Sequence, residues 1–449
     1  MPERTRNEAL AALLVEAHWS ATQLAKAVNT LGAAQELSLR YDRSSVAHWL
    51  AGARPRRPVP DIVAAALSRR IGRLISAQAT GMLQSSHSIA IPAFGMRRAS
   101  PVEQILDLLR QDGDSNLRTP LSRTPFSVAS LAVLPWSASE QAPTPADGDL
   151  TTAAQLETHN DMIASFTKLA DWHGGRLVRP LVVAYLRDSA VPVLVKPRPA
   201  TGQDREVFTA AAQFVHILAG MSDDSGYHGL AQLYYLSALE LARAAGNARQ
   251  FAIGLRAMST HALRLRLPRQ ALDLADMAVA VLGGRGDGAA QAFLLSQRAH
   301  ARACAGRFRE ARADLVAAER HQDRASSSAG PFFGYPRAAL NYQRYQTLGA
   351  MQESKEAISA LQASAHDRAQ TDRRRIALTL ARLAEVHLAV GQLDEGLRYA
   401  HSFLRAYPHM HSAHVDTARR RLSHALARYP VEPQARALAE RMSSTRSPG

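Results

Sequence analysis

A stretch near the N-terminus, DRSSVAHWLAG at residues 42–52, carries the side chains whose types and spacing most clearly indicate a chemistry. Read as a helix at about 100° per residue, it places Val46, Trp49 and Leu50 on one apolar face. The other face and its flanks carry a guanidinium, two hydroxyls and an imidazole, and such groups can hydrogen-bond the base edges of DNA in the major groove. We therefore predict that bases are read by Arg43, Ser44, Ser45 and His48.

Arginines are dense around this predicted helix. Between Ser38 and Ile75 the chain has eight arginines but only two acids, Asp42 and Asp61. The net charge of the whole chain, +15, is weaker evidence, because only four of its 54 basic residues are lysine and codon usage can produce such a bias. Arginines at this density can hold phosphates, which position a reading helix without reading sequence. The predicted phosphate contacts are Arg40, Arg54, Arg56 and Arg57, assisted by Thr22 and Gln23.

Three short helices must position these side chains. They are predicted in NEALAALLVEAHW, in ATQLAKAVN after Ser20 and in RSSVAHWLAG after Asp42, and both preceding residues are favourable N-caps. Trp19 and Trp49 are predicted to lie in the core. A tight helix-turn-helix joins its helices through three or four residues, whereas TLGAAQELSLRY separates Asn29 from Asp42. The turn is therefore predicted to be extended, and a helical cap without DNA contact stays open as the alternative.

The second half of the chain repeats. Short breaks between helical patterns recur at intervals of 40, 40, 43 and 42 residues, at Gly226, Arg266, Gly306, Gly349 and Gly391. Five positions after each stands a small residue: Ala231, Ala271, Ala311, Ser354 and Gly396. A small residue near the start of each second helix lets two helices approach closely. This pattern predicts a solenoid of helical hairpins that resembles tetratricopeptide repeats, although those repeat every ~34 residues; a non-repetitive helical domain is the alternative.

These patterns predict an all-α chain in which an N-terminal helix-turn-helix domain precedes a tetratricopeptide-like α-helical solenoid. The helix-turn-helix domain is assigned to residues 5–80 and the repeats to 204–430. Between them, 81–150 is rich in Ser, Pro, Gly and Thr and is predicted to be a linker or a loosely packed segment. Residues 151–203 are predicted to form connecting helices, and 431–449 a C-terminal tail.

Few features of the chain suggest catalysis or a bound cofactor. The only cysteine, Cys304, excludes a disulfide or a multi-thiolate metal site within the chain. No nucleophile, zinc-protease or phosphate-loop motif occurs, so we predict no enzyme, no cofactor and no metal. The segment HMHSAHVD offers potential metal ligands in His409, His411, His414 and Asp416. Only His411 and His414 share a helical face, which favours exposed histidines at the start of a repeat helix over a metal site.

The chain lacks the apolar patterns that target proteins to membranes. Its first residues, MPERTRNEAL, have no apolar core of a signal peptide. No apolar run approaches the ~20 residues that span a bilayer. We expect a cytoplasmic location and no membrane partner.

Longer stretches of the chain resemble a known group of regulators. WSATQLAKAVN followed by YDRSSVAHWLAGARPRRPVP resembles the helix-turn-helix of actinobacterial regulators of the Xre-like, or lambda-repressor-like, class, in which a tetratricopeptide-like region follows. WLAG-x-RPR is the most specific part of this resemblance. ETHNDMIASFTKLADWHGGRLVRPLVVAYL and GYHGLAQLYYLSALELARAAGNARQFAIGLRAMSTHAL are similar to the helical region of that group. The resemblance implies a regulator of development or secondary metabolism.

Together, these observations lead to two main hypotheses. The first is a sequence-specific regulator of transcription that binds double-stranded DNA, forms a homodimer, and binds a peptide, small-molecule or protein effector in the groove of its repeats, since solenoids present extended concave surfaces. The alternative is an adaptor that binds proteins through its repeats without specific DNA binding. An enzyme whose site lies in the repeat groove is a third hypothesis, which the missing motifs disfavour.

Overall fold

The computed structural model describes most of the chain, namely residues 7–33, 37–53, 55–56, 58–71, 80–82, 100–131, 133, 136, 150–191, 203–284, 287–325, 334–407 and 410–444. All regular structure within these ranges is helical, as the sequence predicts. None of the helices in this part of the chain combines the length and apolarity that crossing a bilayer requires. Two compact units are present: residues 1–97 with 127–133, and residues 98–126 with 134–449.

The described part of the first unit contains four α-helices, α1 (Glu8–Glu16), α2 (Ala21–Ala33), α3 (Arg43–Leu50) and α4 (Val59–Ile71), and a short 3-10 helix, Ala129–Leu131. Their apolar faces meet in one core, whose fully buried side chains include Leu10, Leu24, Val28, Val46, Ile62, Val63 and Leu67. Trp49 is buried in this core, whereas Trp19 packs against it and is only partly buried. The core therefore holds α3 by one face.

The first helices of the second unit lie in the stretch that the composition predicts to be a linker. Within 81–150, α5 (Pro101–Gly113) and α6 (Ser115–Ser122) are regular helices. Ser100 and Glu103 form a reciprocal capping box at the start of α5. Three apolar side chains of α5 are buried: Val102, Ile105 and Leu109. A cap and an apolar stripe were thus present inside a Ser- and Pro-rich stretch whose average composition concealed them.

Two further helices precede the repeats. These are α7 (Leu150–His173) and α8 (Gly175–Tyr185), the latter continued by a π-helical turn, Leu186–Ala190. Both pack on the first repeat helix.

Twelve helices then form six consecutive hairpins. The hairpins are α9 (Gln203–Asp224) with α10 (His228–Ala244), α11 (Ala248–Arg264) with α12 (Pro268–Leu282), α13 (Gly288–Cys304) with α14 (Phe308–Asp323), α15 (Arg337–Ala350) with α16 (Ser354–His366), α17 (Arg373–Ala389) with α18 (Leu393–Ala406), and α19 (Ala413–Leu426) with α20 (Pro433–Ser444). The predicted repeating helical arrangement is therefore present. It extends into the predicted tail, because α20 buries Ala435, Leu438 and Met442.

The first five hairpins turn in the same way. The second residue after each first helix has a left-handed φ, and the next backbone N–H bonds a carbonyl five residues back, as in a Schellman motif. The left-handed residues are Gly226, Arg266, Gly306, Gln352 and Gly391. The predicted alignment is therefore wrong in the fourth hairpin, where Gln352 takes the place that we gave to Gly349. Gly349 lies inside α15, and the equivalent small residue is Ala357 rather than Ser354.

The small residue five positions after each turn lies where the two helices touch. Ala231, Ala271 and Ala311 are fully buried. At Gly396 an added Cβ would stand 2.7 Å from Leu388 Cδ2, so a larger residue would have to displace the Leu388 side chain of α17. Close packing within each hairpin thus explains this part of the repeat pattern.

The second unit is closed on itself rather than open like a linear array. Helix α7 contacts α9 and also α17, which belongs to the fifth hairpin. The carboxylate of Asp224, at the end of α9, accepts hydrogen bonds from Gly175 N at 2.7 Å and from Ser412 Oγ at 2.6 Å. Arg374 of α17 binds the same carboxylate at 2.9 Å. The helices predicted only to connect the two domains therefore join the first hairpin to the last two.

Candidate nucleic-acid interface

Helix α3 presents a polar face to solvent. Val46 and Trp49 are 0% and 4% exposed and anchor the helix in the core of the first unit. The other side of the helix exposes the side chains of Arg43, Ser44, Ala47 and His48. The helix ends at Leu50, and two residues later Gly52 has a left-handed φ of 93°. Three of the four predicted base-reading residues therefore share one accessible surface.

The start of α3 is fixed by a capping box. Asp42 Oδ1 accepts hydrogen bonds from Ser45 N and Ser45 Oγ, both at 2.8 Å, and Ser45 Oγ lies 3.4 Å from Asp42 N. The backbone N–H of Ser45 keeps the pKa of Asp42 below its ordinary value. The hydroxyl of Ser45, the fourth predicted base contact, is thus engaged within the helix end, and its side chain is half-buried.

The long connection before α3 is tied to α2. The side-chain amide of Asn29 donates to Tyr41 O at 2.8 Å and accepts from Tyr41 N at 2.9 Å. The ring of Tyr41 meets Trp49 edge-on, with 5.0 Å between centroids. Closer to α2, Leu37 N donates to Gly32 O at 2.9 Å. The extended turn therefore fixes where α3 begins relative to α2.

The predicted phosphate-binding residues lie at several points of this unit. Thr22 and Gln23 are exposed in the first turn of α2, where Gln23 Oε1 accepts from Ser20 N at 2.8 Å in a second capping box. Arg40 precedes α3 and Arg56 follows it, and both are exposed. Arg54 and Arg57 lie outside the described residues.

A shallow depression separates α2 from α4. Its volume is about 500 Å³, and its lining includes Trp19, Gln23, Lys26 and Arg70. Arg70 Nε donates to Ala17 O at 3.0 Å, which fixes the end of α4 against the turn before α2. Lys26, which is not among the predicted phosphate-binding residues, stands one helical turn after Thr22 and Gln23.

Among the described residues of the histidine-rich segment, Asp416, His414 and His411 contact different neighbours. Asp416 accepts from Tyr407 Oη at 2.8 Å and pairs with Arg176 at 3.5 Å. His414 instead turns towards the end of α9, with Nδ1 3.2 Å from Asp224 Oδ1. The backbone of His411 contacts α7 and α8, through His173 O and Arg176 N. His409 lies outside the described residues.

Comparison with known proteins adds a match within the first unit. Residues 10–83 match the family described as the SP15 N-terminal domain. This stretch holds most of α1 and all of α2, α3 and α4, but much less than half of the chain. No curated protein was found to be similar to the chain.

Proposed function

We propose that the chain is a sequence-specific DNA-binding regulator of transcription that inserts α3 into the major groove. The observation that carries this proposal is the division of α3 into a face held in the core by Val46 and Trp49 and a face that exposes Arg43, Ser44 and His48. A short amphipathic helix with small polar and basic residues outward suits the groove sterically and chemically. The helix-turn-helix assignment and the Xre-like resemblance belong to the same proposal.

The side chains of α3 and its flanks divide into two roles. Arg43, Ser44 and His48 contact base edges, whereas Ser45 holds the helix end, since its hydroxyl already bonds Asp42. The phosphates are held by the remaining predicted set: Arg40, Arg54, Arg56, Arg57, Thr22 and Gln23. If four arginines each neutralise one phosphate, the logarithm of the binding constant falls with the logarithm of salt concentration with a slope of about −4.

The repeating hairpins of the second unit serve contacts with other molecules. We propose that this tetratricopeptide-like region mediates homodimerisation and takes a peptide, small-molecule or protein effector. Part of the surface formed by the first helices of the hairpins is covered by α7, which contacts both α9 and α17. An effector therefore binds beside α7 or displaces it. A cytoplasmic, non-enzymatic role is part of this proposal.

The first experiment measures DNA binding by the full-length protein. Fragments of the source genome are incubated with the protein at ~50 mM salt, and the bound fragments are sequenced. We expect enrichment of a shared motif, with affinity falling steeply towards ~200 mM salt. If no genomic fragment is bound at the lower salt, the DNA-binding proposal is refuted and the adaptor hypothesis takes its place.

Matched substitutions then test the placement of α3. Arg56→Ala should weaken binding to all sequences alike and make the salt slope shallower by about 1, whereas His48→Ala and Arg43→Ala should also relax base preference. Arg309→Ala, at an exposed arginine of α14 in the second unit, serves as the control and should change neither property. Equal, sequence-independent losses from the three substitutions in the first unit would show that α3 does not read bases.

A further inference from the structure

Three potential metal ligands meet at one end of the first two hairpins. Asp223 lies in the last turn of α9, His228 is the first residue of α10, and His261 lies in the last turn of α11. The side chains of Asp223 and His261 are each 2% exposed, and that of His228 is 39% exposed. The site therefore joins three successive helices and is open to solvent at His228.

The three ligand atoms form a nearly equilateral triangle. Asp223 Oδ1 lies 3.1 Å from His228 Nδ1 and 3.4 Å from His261 Nε2, and the two nitrogens are 3.3 Å apart. A tetrahedral zinc ion with bonds of about 2.0–2.1 Å has ligands about 3.3–3.4 Å from one another. The triangle thus has the size of one face of a zinc tetrahedron.

Hydrogen bonds explain the three short distances in this triangle less completely than a bound metal ion does. The carboxylate oxygen of Asp223 carries no proton, so only the two ring nitrogens can donate. If both are protonated, both donate to Asp223 and the two N–H groups repel each other. If one is protonated, it directs its proton to a single neighbour. A metal ion instead binds all three atoms at once.

Groups around the triangle orient its ligands. Arg264 binds the second oxygen of Asp223, which leaves Oδ1 directed at the two imidazoles. His414 Nε2 is buried without a hydrogen-bond partner in the described part of the chain, 3.7 Å from Asp223 Oδ2, while its Nδ1 faces Asp224. The positive charge of Arg264 opposes a dication, so we expect weaker binding than at a structural zinc site.

We propose that Asp223, His228 and His261 bind a divalent transition-metal ion, most readily zinc, with a solvent molecule as the fourth ligand. Two imidazoles and one carboxylate are ligands that zinc prefers, and they leave the open position of a three-ligand site. The ion would join α9, α10 and α11, next to the contacts of Asp224 with the last two hairpins. This proposal stands independently of DNA binding.

Zinc binding to the full-length protein tests the proposal. The protein, without a histidine tag, is treated with a chelator, dialysed, and titrated with Zn²⁺ in a calorimeter; Co²⁺ is then used as a spectroscopic probe. We expect one equivalent of zinc per chain and Co²⁺ absorption of the intensity typical of four-coordination. Failure to bind stoichiometric zinc overturns the proposal.

Two variants and one control locate the bound ion. His228→Ala changes a partly exposed residue. His261→Gln changes a buried one and puts a polar amide in place of the imidazole. Each substitution should weaken zinc binding at least ten-fold. His401→Ala, at an exposed histidine of α18, should leave the affinity unchanged. Circular dichroism checks that each variant is folded, and the His228 variant keeps the test valid if the buried substitution unfolds the chain. Unchanged zinc affinity in folded His228→Ala refutes the assignment.

Discussion

A buried ionic contact fastens α5 to the repeats, and breaking it should cost much of the stability of the second unit. Asp112 of α5 pairs with Arg179 of α8 and accepts a hydrogen bond from Tyr234 Oη of α10 at 2.6 Å. The side chains of Asp112 and Arg179 are 0% and 4% exposed, and Tyr234 is fully buried. The perturbation is Asp112→Ala, which leaves the charge of Arg179 buried without its carboxylate.

The magnitude follows from this burial. Removing one partner of a buried ion pair costs about 3–5 kcal/mol. The same helix supplies a control in Asp107, whose pair with Arg110 has side chains that are 64% and 67% exposed. Asp107→Ala should therefore cost less than about 1 kcal/mol. Tyr234→Phe removes a single hydrogen bond to a charged group and should cost about 1.5–3 kcal/mol.

Hydrogen exchange of the full-length protein is the suitable assay, because a chain with two units need not unfold in one step. Peptides from α5, α8 and α10 report the free energy of opening in this region. In Asp112→Ala the free energy of opening calculated from the protection factors of these peptides should fall. The fall should exceed that in Asp107→Ala by at least about 2 kcal/mol. Equal losses of protection in the two variants would refute the view that the buried pair holds α5 in place.

Two further predictions concern stability. Gln352→Gly should raise the free energy of unfolding by about 0.5–1 kcal/mol in urea denaturation, because a side chain at φ 64° is strained and glycine is not; a loss of stability would contradict the assigned turn. Burial lowers the pKa of His216 and of His300 to about 4 from an ordinary value of 6.5. Below pH 6.5 these two imidazoles become protonated in the unfolded chain but stay neutral in the folded one. The free energy of unfolding should therefore fall as pH decreases from 6.5 to 4, by at most about 1.4 kcal/mol per pH unit for each histidine. Thermal melting at several pH values measures this fall, and His300→Gln should make it shallower; an unchanged pH dependence would contradict the prediction.

Local patterns in the sequence predicted several features of the fold. The N-caps at Ser20 and Asp42 are confirmed, because capping depends on residues only three positions apart. The burial of Val46 and Trp49 is also confirmed. This prediction too depends on residues close in the sequence, because helical periodicity places both on one face. The roles of the exposed residues on α3 stay predictions.

Features that depend on distant contacts could not be predicted in this way. The left-handed residue of the fourth hairpin is Gln352, and a search for glycine selects Gly349 instead. Asp223 and His261 are 38 positions apart and meet only because α9 and α11 end side by side. Helix α5 has a readable cap, but its attachment depends on the pairing of Asp112 with residues 67 and 122 positions away.

The closure of the second unit has a consequence for how the chain folds. In an open repeat array each hairpin needs only its neighbours, so folding can start anywhere and spread. Here Asp224 binds Arg374 and Ser412 across 150 and 188 residues, and Arg176 binds Asp416 across 240. Such long-range contacts raise the contact order, and the entropy of closing these loops is lost before the contacts form. During synthesis, the contacts that close the second unit can therefore form only after the residues up to Asp416 have been made.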